Sequence, residues 1–337
     1  MVPLISVIIP NYNGEKTLDL CLSAATSIND EAVEIIVVDD GSDDRSIDII
    51  KRYSCTLIES SQHVGASHAR NLGAQQAKGH FLFFTDADCL IQQNTLSQVR
   101  SMLSLADLHT IIGGTYTPRP YDPFFFSRFQ SVFINYCESS NPQQADYIAT
   151  HAMLINTELF LSSGGFAEDL WPILEDVEFS HRCRRAGMTL VMQPAIQVQH
   201  IFNFRLLDSC RNAIRKTRYW IQYSLKNQDL FVDSGTASIE LKLNVSSFFI
   251  CLLLAPGFAS GNTTTLTAVM FLCFINVYIN RKLLKAFYDV NGLMPGLADS
   301  GYYLFVYPLP IAVGMIAGFS DLLFNKVPNT SRTPRGL

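Results

Sequence analysis

Gly79-His80-Phe81-Leu82-Phe83-Phe84-Thr85-Asp86-Ala87-Asp88 carries the deciding pattern of this 337-residue chain. Four consecutive apolar residues run directly into two carboxylates at i and i+2. A short continuous apolar run bounded by polar residues reads as a strand buried on both faces. In open α/β sheets, ligands sit outside the carboxyl ends of such strands. Asp86 and Asp88 are therefore expected at a ligand edge, where two diverging carboxylates suit one hard cation and a sugar hydroxyl.

The same grammar repeats on the N-terminal side. Residues 4–9 read as a strand stopped by Pro10, and 15–28 as a helix. Glu34-Ile35-Ile36-Val37-Val38 reads as a strand ending in Asp39-Asp40-Gly41-Ser42. A short helix is expected over 44–52, a strand over 55–59, and a helix over 65–78 whose small-residue face is made by Ala66, Ala69, Leu72, Gly73 and Ala77. Buried strands alternating with helices imply an α/β fold with a parallel sheet covered on both faces. Beyond residue 110 the pattern loosens. Strands are expected near 148–155 and 188–192, a helix over 175–186 closed by Gly187, and an amphipathic helix over 206–228.

Composition divides the chain. Hydrophobic residues make up 48%, charged residues only 16%, and mean hydropathy is +0.17, too apolar for an ordinary soluble protein. Residues 241–337 hold seven Lys/Arg against three Asp/Glu, a net +4, which leaves −9 on the first 240. The overall −5 argues against binding nucleic acid by phosphate neutralisation. Three uncharged runs, about 243–260, 261–280 and 300–320, approach the roughly 20 residues needed to span a bilayer. Arg281, Lys282 and Lys285 favour a cytoplasmic face, as do Lys326, Arg332 and Arg335, although three full spans would put these two clusters on opposite sides. One run would then be re-entrant or interfacial, or the charge rule broken. The eight cysteines form no C-x-x-C pair and read as scattered buried thiols in a reducing compartment.

Four further features lie where loops should follow strands. Pro10-Asn11-Tyr12-Asn13 is ordinary turn chemistry or a ligand loop. Asp40, after the second strand, is either a turn or helix cap or an acceptor for the N–H of a pyrimidine or guanine base. Glu175-Asp176 opens a helix, where carboxylates are favoured in any case. His200 follows Ile196-Gln197-Val198-Gln199 and is either a buried hydrogen-bonded histidine or a ligand. No G-x-G-x-x-G or G-x-x-x-x-G-K-[ST] loop is present, which removes the dinucleotide and P-loop readings.

Taken in order, residues 4–14 (LISVIIPNYNG), 35–42 (IIVVDDGS), 65–73 (GASHARNLG), 79–88 (GHFLFFTDAD) and the 164–187 segment with its LEDVEF core resemble the family 2 glycosyltransferases. The resemblance covers roughly residues 3–225. It implies a GT-A, nucleotide-diphospho-sugar transferase, Rossmann-like domain over 1–235, with a nucleotide-binding half over 1–115 and an acceptor half over 116–235. A C-terminal α-helical membrane region over 241–325 would follow. It also implies roles. Pro10, Tyr12, Asp40, Arg70 and Asp86 would bind the nucleotide sugar, Asp88 would ligate Mg²⁺ or Mn²⁺, and Asp176 would be the catalytic base with Glu175 supporting the acceptor site. Gly164-Gly165 would form the acceptor-side turn. His200 would complete the metal or diphosphate site. Arg215-Lys216-Thr217-Arg218-Tyr219-Trp220 resembles the Q-x-x-R-W motif of processive synthases, placing Arg218 with the donor, but departs from it at Arg215 and Tyr219. A basic helix on anionic lipid explains the same residues.

The expected activity is metal-dependent, inverting transfer of a sugar from a UDP- or GDP-type donor to a lipid-linked or envelope glycan acceptor. The enzyme would be anchored in the cell membrane with its catalytic domain cytoplasmic. Transfer to polyprenyl phosphate needs the same site. A non-catalytic nucleotide-sugar-binding membrane subunit is the rival from another class, and the complete set Asp40, Asp86, Asp88 and Asp176 counts against it.

Overall fold

In the computed structural model the described residues are 3–28, 30–103, 107–168 and 173–324. They fall into two compact units: the residues through Asp122 with Glu138–Phe202, and Pro123–Cys137 with the described residues from Asn203 onward. This division differs from the boundary expected near residue 235. The amphipathic 206–228 segment groups with the apolar tail, because its helix packs on the last described helix.

The first unit is built on one eight-stranded sheet. Its strands are β1 (Ile5–Asn11), β2 (Val33–Asp39), β3 (Thr56–Glu59), β4 (Phe81–Phe84), β5 (Cys89–Ile91), β6 (Thr110–Tyr116), β7 (Met153–Asn156) and β8 (Thr189–His200). The order is β3-β2-β1-β4-β7-β6-β8-β5. Its helices are α1 (Leu18–Thr26), α2 (Ser46–Ile50), α3 (Ala66–Gln76), α4 (Thr95–Leu103), α6 (Thr157–Ser162) and α7 (Glu175–Arg185), and α5 (Phe125–Ser139) begins in the second unit. β3, β2, β1 and β4 are parallel, as the sequence leads one to expect. The other half is not. β7 runs antiparallel to both β4 and β6, and β5 antiparallel to β8, so the sheet is mixed.

Register explains where the ligand edge falls. Asn11 pairs with Asp39, and Asp39 with Glu59, so these residues end the strands at one level. Phe84 pairs with Ile8, so Asp86, two residues on, lies level with Pro10. β1 does not stop at Pro10. Ile8 O accepts from Thr85 N–H, so alternation turns the Pro10 nitrogen to the same side. β4 has already ended there, and the missing N–H breaks no ladder bond.

The two strands expected after residue 110 also shift. β7 is shorter than expected, because Thr150–Ala152 form a 3₁₀ turn. β8 continues to His200, absorbing the second apolar stretch. β6 was not expected at all: Gly113-Gly114 obscures it, yet a Cβ at Gly114 would lie 2.4 Å from Ile196 O. The glycines therefore mark close strand packing rather than a turn.

α3 lies against β1 and β2 through Gly73, where a Cβ would come within 2.7 Å of Ile8 Cγ2 and 3.1 Å of Val38 Cγ2. Ile8, Ile36, Val38, Leu82 and Phe84 form one core with Phe160, Phe166 and Phe179. The cysteines are less uniformly buried than expected. Cys21, Cys89 and Cys183 are buried, whereas Cys273 is exposed.

The second unit is helical: the start of α5, then α8 (Leu206–Asn227), α9 (Ile239–Ala259), α10 (Thr263–Ile279), α11 (Arg281–Asn291), α12 (Leu293–Gly301), a π-helical turn (Tyr302–Val306) and α13 (Pro308–Leu323). Phe129 is its aromatic centre, stacked on Phe287 at 5.4 Å and edge-on to Tyr302 at 4.7 Å. α13 meets α8 backbone to backbone: a Cβ at Gly314 would lie 2.7 Å from Ile214 O, and one at Gly318 2.7 Å from Arg218 O. Among the described residues, two helices are long and apolar enough to cross a membrane, Ile239–Gly257 and Leu293–Leu323; α10 and α11 form a third candidate only as a pair bent by 61°. The middle expected run is thus the bent one, and Asn280 stands at its break. The basic cluster Lys326, Arg332 and Arg335 lies outside the described residues.

Replacing Gly73 by Val inserts a branched side chain between α3 and two strands. Gly73→Val should lower unfolding free energy by about 1–3 kcal/mol, measured by denaturant titration. An unchanged midpoint would show that α3 can stand off the sheet.

Candidate functional site

The carboxyl ends of β1, β2 and β4, with the start of α3, enclose a cavity of about 420 Å³. Pro10, Tyr12, Asp40, Arg70, Asp86, Asp88 and His200 all line it. Seven of the ten site residues expected from sequence therefore share one space, although they are drawn from five separate stretches of chain.

Asp39 and Asp40 are adjacent but do different work. Asp39 accepts from Asn11 Nδ2 at 2.7 Å, Ser42 Oγ at 2.7 Å and Ser42 N at 2.9 Å, which locks the β1 and β2 loops together. Asp40, 2% exposed, accepts from Gly65 N at 2.7 Å and Val64 N at 3.1 Å, and lies 2.8 Å from His63 Nδ1. Gly41, at φ +79°, carries the chain past Gln62 and His63, whose backbone a Cβ would meet at 2.9 Å. The side chain of Tyr12 stacks on His63 with ring centroids 3.8 Å apart.

Arg70 is the cation of the site. It is 4% exposed and reaches Asp86 Oδ1 at 2.6 Å through Nη2 and Glu175 Oε1 at 2.7 Å through Nη1. One guanidinium thus joins the end of β4 to the start of α7. Burial alone would push the Asp86 carboxyl up, but Arg70 more than offsets this and holds it below its ordinary value. The neighbouring Asn71 fixes the Gly164-Gly165 turn: its Nδ2 donates to Phe166 O at 2.8 Å and its Oδ1 accepts from Phe166 N at 2.9 Å. Both glycines have positive φ, +83° and +66°.

Asp88 points elsewhere. Its Oδ2 lies 3.5 Å from His200 Nε2, and these two groups with Cys89 Sγ place their ligand atoms within 4.8 Å of one another. Burial, and then Asp86, push the Asp88 carboxyl up. Burial and Asp88 push the Cys89 thiol well up, so it is a protonated neighbour. A hard carboxylate and an imidazole, half open to a cavity, suit Mg²⁺ or Mn²⁺, which take their remaining ligands from water and phosphate oxygens. The residues present therefore fit the expected divalent ion.

Asp176 and Glu175 do not line the cavity themselves; Arg70 connects them to it. Burial, and then Glu175, raise the Asp176 carboxyl to about 7. The residue before the pair, Leu174, has φ +79° without being glycine. A strained residue at this point is an unfavourable conformation kept by its surroundings, and it sets the direction in which α7 begins.

Arg218 is not brought to this group. It sits in the second unit, where its Nε and Nη2 reach Asp321 at 2.5 and 2.9 Å while Gln222 Nε2 donates to the same carboxylate at 2.6 Å. Its sequence motif marks the close contact of α8 with α13. Two features went unread in the sequence. His63 stands two residues before Gly65 at the end of a βα loop, a position that could have raised it as a candidate. The second feature is a buried set behind β6: Thr115 Oγ1 donates to Glu138 at 2.6 Å, His151 Nε2 lies 3.3 Å from Glu138, and Tyr116 stacks on His151 at 4.0 Å. Burial works against the His151 cation, but Glu138 outweighs it and raises the imidazole above its ordinary value. No sequence signal gathers those residues.

The fold is GT-A, and residues 6–160 match the family model described as glycosyl transferase family 2. This part of the chain is a family 2 glycosyltransferase domain. Glycosyltransferase AglE of Haloferax volcanii is 30% identical over 203 residues, covering 56% of this chain and 64% of AglE. Glycosyltransferase GlyG of Streptococcus pneumoniae serotype 4 is 30% identical over 131 residues, covering 37% of this chain and 44% of GlyG. The chain thus matches less than two thirds of the length of either relative. Among solved structures, mannosyltransferase PcManGT from Pyrobaculum calidifontis, in complex with GDP-Man and Mn²⁺, shares the fold with a TM-score of 0.58 and 19% identity, over 97% of this chain and 88% of that one.

Arg70 carries a prediction. Removing it leaves two partly buried carboxylates, 29% and 14% exposed, without their cation, so Arg70→Ala should cost at most about 3–5 kcal/mol of stability at pH 8, the range for a fully buried pair. In the intact protein the lowered Asp86 value adds stability above the ordinary carboxylate range, lost only as pH falls through that lowered value. In the variant the Asp86 carboxyl rises instead, so its penalty grows with pH and should be much smaller at pH 5. Thermal unfolding at both pH values checks this; an equal loss at each would assign Arg70 a packing role alone.

Proposed function

We propose that the protein is a membrane-anchored glycosyltransferase that takes a sugar from a UDP- or GDP-type donor, with inversion, to a lipid-linked or envelope glycan acceptor. The supporting observation is the division of carboxylates around one cavity: Asp40 and Asp86 held by fixed donors, Asp88 beside His200, and Asp176 raised to about 7 on the far side of Arg70. Pairs of carboxyls whose environments separate their affinities for protons are a signature of assigned acid and base roles.

In this reading Tyr12 offers a stacking face to the base and Asp40 an acceptor for its N–H. Asp88 and His200 hold a divalent ion, which when bound offsets the charge of the departing diphosphate. Arg70 keeps Asp86 ionised and orients it toward the ribose or donor sugar. Asp176 accepts the proton of the acceptor hydroxyl as that oxygen attacks the anomeric carbon from the face opposite the diphosphate, so a single displacement inverts the centre. Transfer to polyprenyl phosphate uses the same residues and differs only in acceptor. The proposed anchor is Ile239–Gly257 and Leu293–Leu323, with the domain on the cytoplasmic side beside Arg281, Lys282 and Lys285. Release of the intact protein from membranes by alkaline carbonate would remove the anchor, and protease access to the domain in sealed inverted vesicles tests the side.

Asp88→Ala should abolish transfer and the Mn²⁺ dependence of donor binding, measured by calorimetry with and without EDTA. Equal activity in EDTA would remove the metal from the mechanism. Asp176→Asn should keep donor binding within a few-fold while lowering turnover by about 10²–10⁴. A helix cap would tolerate that change. Because Asp176 must be ionised to accept a proton, wild-type turnover should fall as pH drops below about 7. A flat profile between pH 5.5 and 8, or full activity in the Asn variant, would take the base role from Asp176.

A further inference from the structure

We infer that His63 occupies the base subsite of the donor cavity and must swing out for the nucleotide to enter, an inference that rests on the donor reading above. Two groups assigned to the base are engaged by this one side chain. The imidazole lies on the Tyr12 ring at a centroid distance of 3.8 Å and an interplanar angle of 21°, and its Nδ1 is 2.8 Å from Asp40 Oδ2. Flat stacking on Tyr12 combined with a ring N–H given to a buried carboxylate is the pair of contacts that uracil or guanine would make. Adenine and cytosine present an exocyclic amine rather than a ring N–H on that edge. The histidine is a stand-in that marks both the position and the hydrogen-bonding class of the ligand.

The surroundings allow the ring to move without the loop. The backbone around His63 is fixed by two partners: Val64 N and Gly65 N donate to Asp40, and Gln62 and His63 lie directly on Gly41. Asp40 keeps those two backbone donors when the imidazole leaves, so it is not stranded. The imidazole itself is half exposed, at 51% against 3% for the Asp40 side chain. Rotation into solvent therefore costs the stack and one charge-assisted contact, which the entering base replaces one for one. His63 acts as an internal competitor that lowers donor affinity and keeps Tyr12 and Asp40 covered between turnovers.

The test is calorimetric titration of the full-length protein in detergent with UDP, GDP, ADP and CDP, each with MnCl₂. Wild type should bind UDP or GDP in preference to ADP and CDP. His63→Ala should bind the same nucleotide about three- to tenfold more tightly, the scale of one lost aromatic pair and its hydrogen bond, with the preference retained because Asp40 remains. His63→Phe, which still stacks but donates nothing to Asp40, should gain less than His63→Ala. His63→Gln gives a second ring-free variant should either of these fold poorly. Weaker or unchanged binding in His63→Ala and His63→Gln would overturn the inference, placing His63 beside the bound base rather than in its position. Binding of none of the four nucleotides by wild type would instead remove the donor reading, and the inference with it.

Discussion

One buried guanidinium organises the first unit. Arg70 contributes a fixed fork whose two nitrogens span Asp86 at the end of β4 and Glu175 at the start of α7, groups 16 and 105 residues away in sequence. Planar geometry matters here: a lysine could neutralise one carboxylate but could not hold two at a set angle. Asn71, the next residue, clamps Phe166 from the same turn of α3. α3 can do this only because Gly73 and Ala69 let it lie close to the sheet. The small-residue face read from the sequence is therefore what brings the Gly164-Gly165 turn close to the carboxyl ends of β1, β2 and β4.

The same cation separates the acidities of its neighbours. Asp86 touches Arg70 and is held down; Asp176, one residue beyond the other contact, is pushed up by partial burial and then by Glu175. Two aspartates of equal intrinsic acidity thus differ because the guanidinium bonds directly to one of them, while at the other desolvation and Glu175 outweigh it. Leu174, at positive φ, is the residue from which α7 begins, and Glu175, the first residue of α7, is the one that meets Arg70. The proton-accepting role proposed for Asp176 follows from this split rather than from its place at a helix N-terminus, which would favour any carboxylate.

The parallel half of the sheet was legible because each strand is a short apolar run ended by a polar cluster, and each connection is a helix. That Pro10, Tyr12, Asp40, Asp86 and Asp88 would gather around one cavity was legible because loops at the carboxyl ends of parallel strands lie together; Arg70, on α3, and His200, at the end of β8 in the other half, join them there. The mixed half was not. β6 is interrupted by two glycines whose function is close packing, and β5 has only three residues. Strand direction there depends on pairing partners distant in sequence, which no local pattern encodes. The pairing of Arg218 was not legible either. A motif resemblance gave it a donor role; in the structure it pairs with Asp321, where Gly314 and Gly318 of α13 let the α8 and α13 backbones approach closely. Small residues four apart on an apolar helix were the available signal for that contact.

Charge within the cavity bears on what can enter it. The first 240 residues are net negative, yet the proposed ligand is a diphosphate. Counting partners resolves this tension. Asp39 is committed to Asn11 and Ser42, Asp40 to the loop after β3, and Asp86 to Arg70. Each of these charges is met by donors from the protein. Asp88 is different: its close neighbour is His200, and burial with Asp86 makes its ionised form costly. A divalent cation at Asp88 would relieve that cost and present positive charge toward the cavity. The acidic edge and an anionic donor become compatible through the one carboxylate that the fold leaves least compensated.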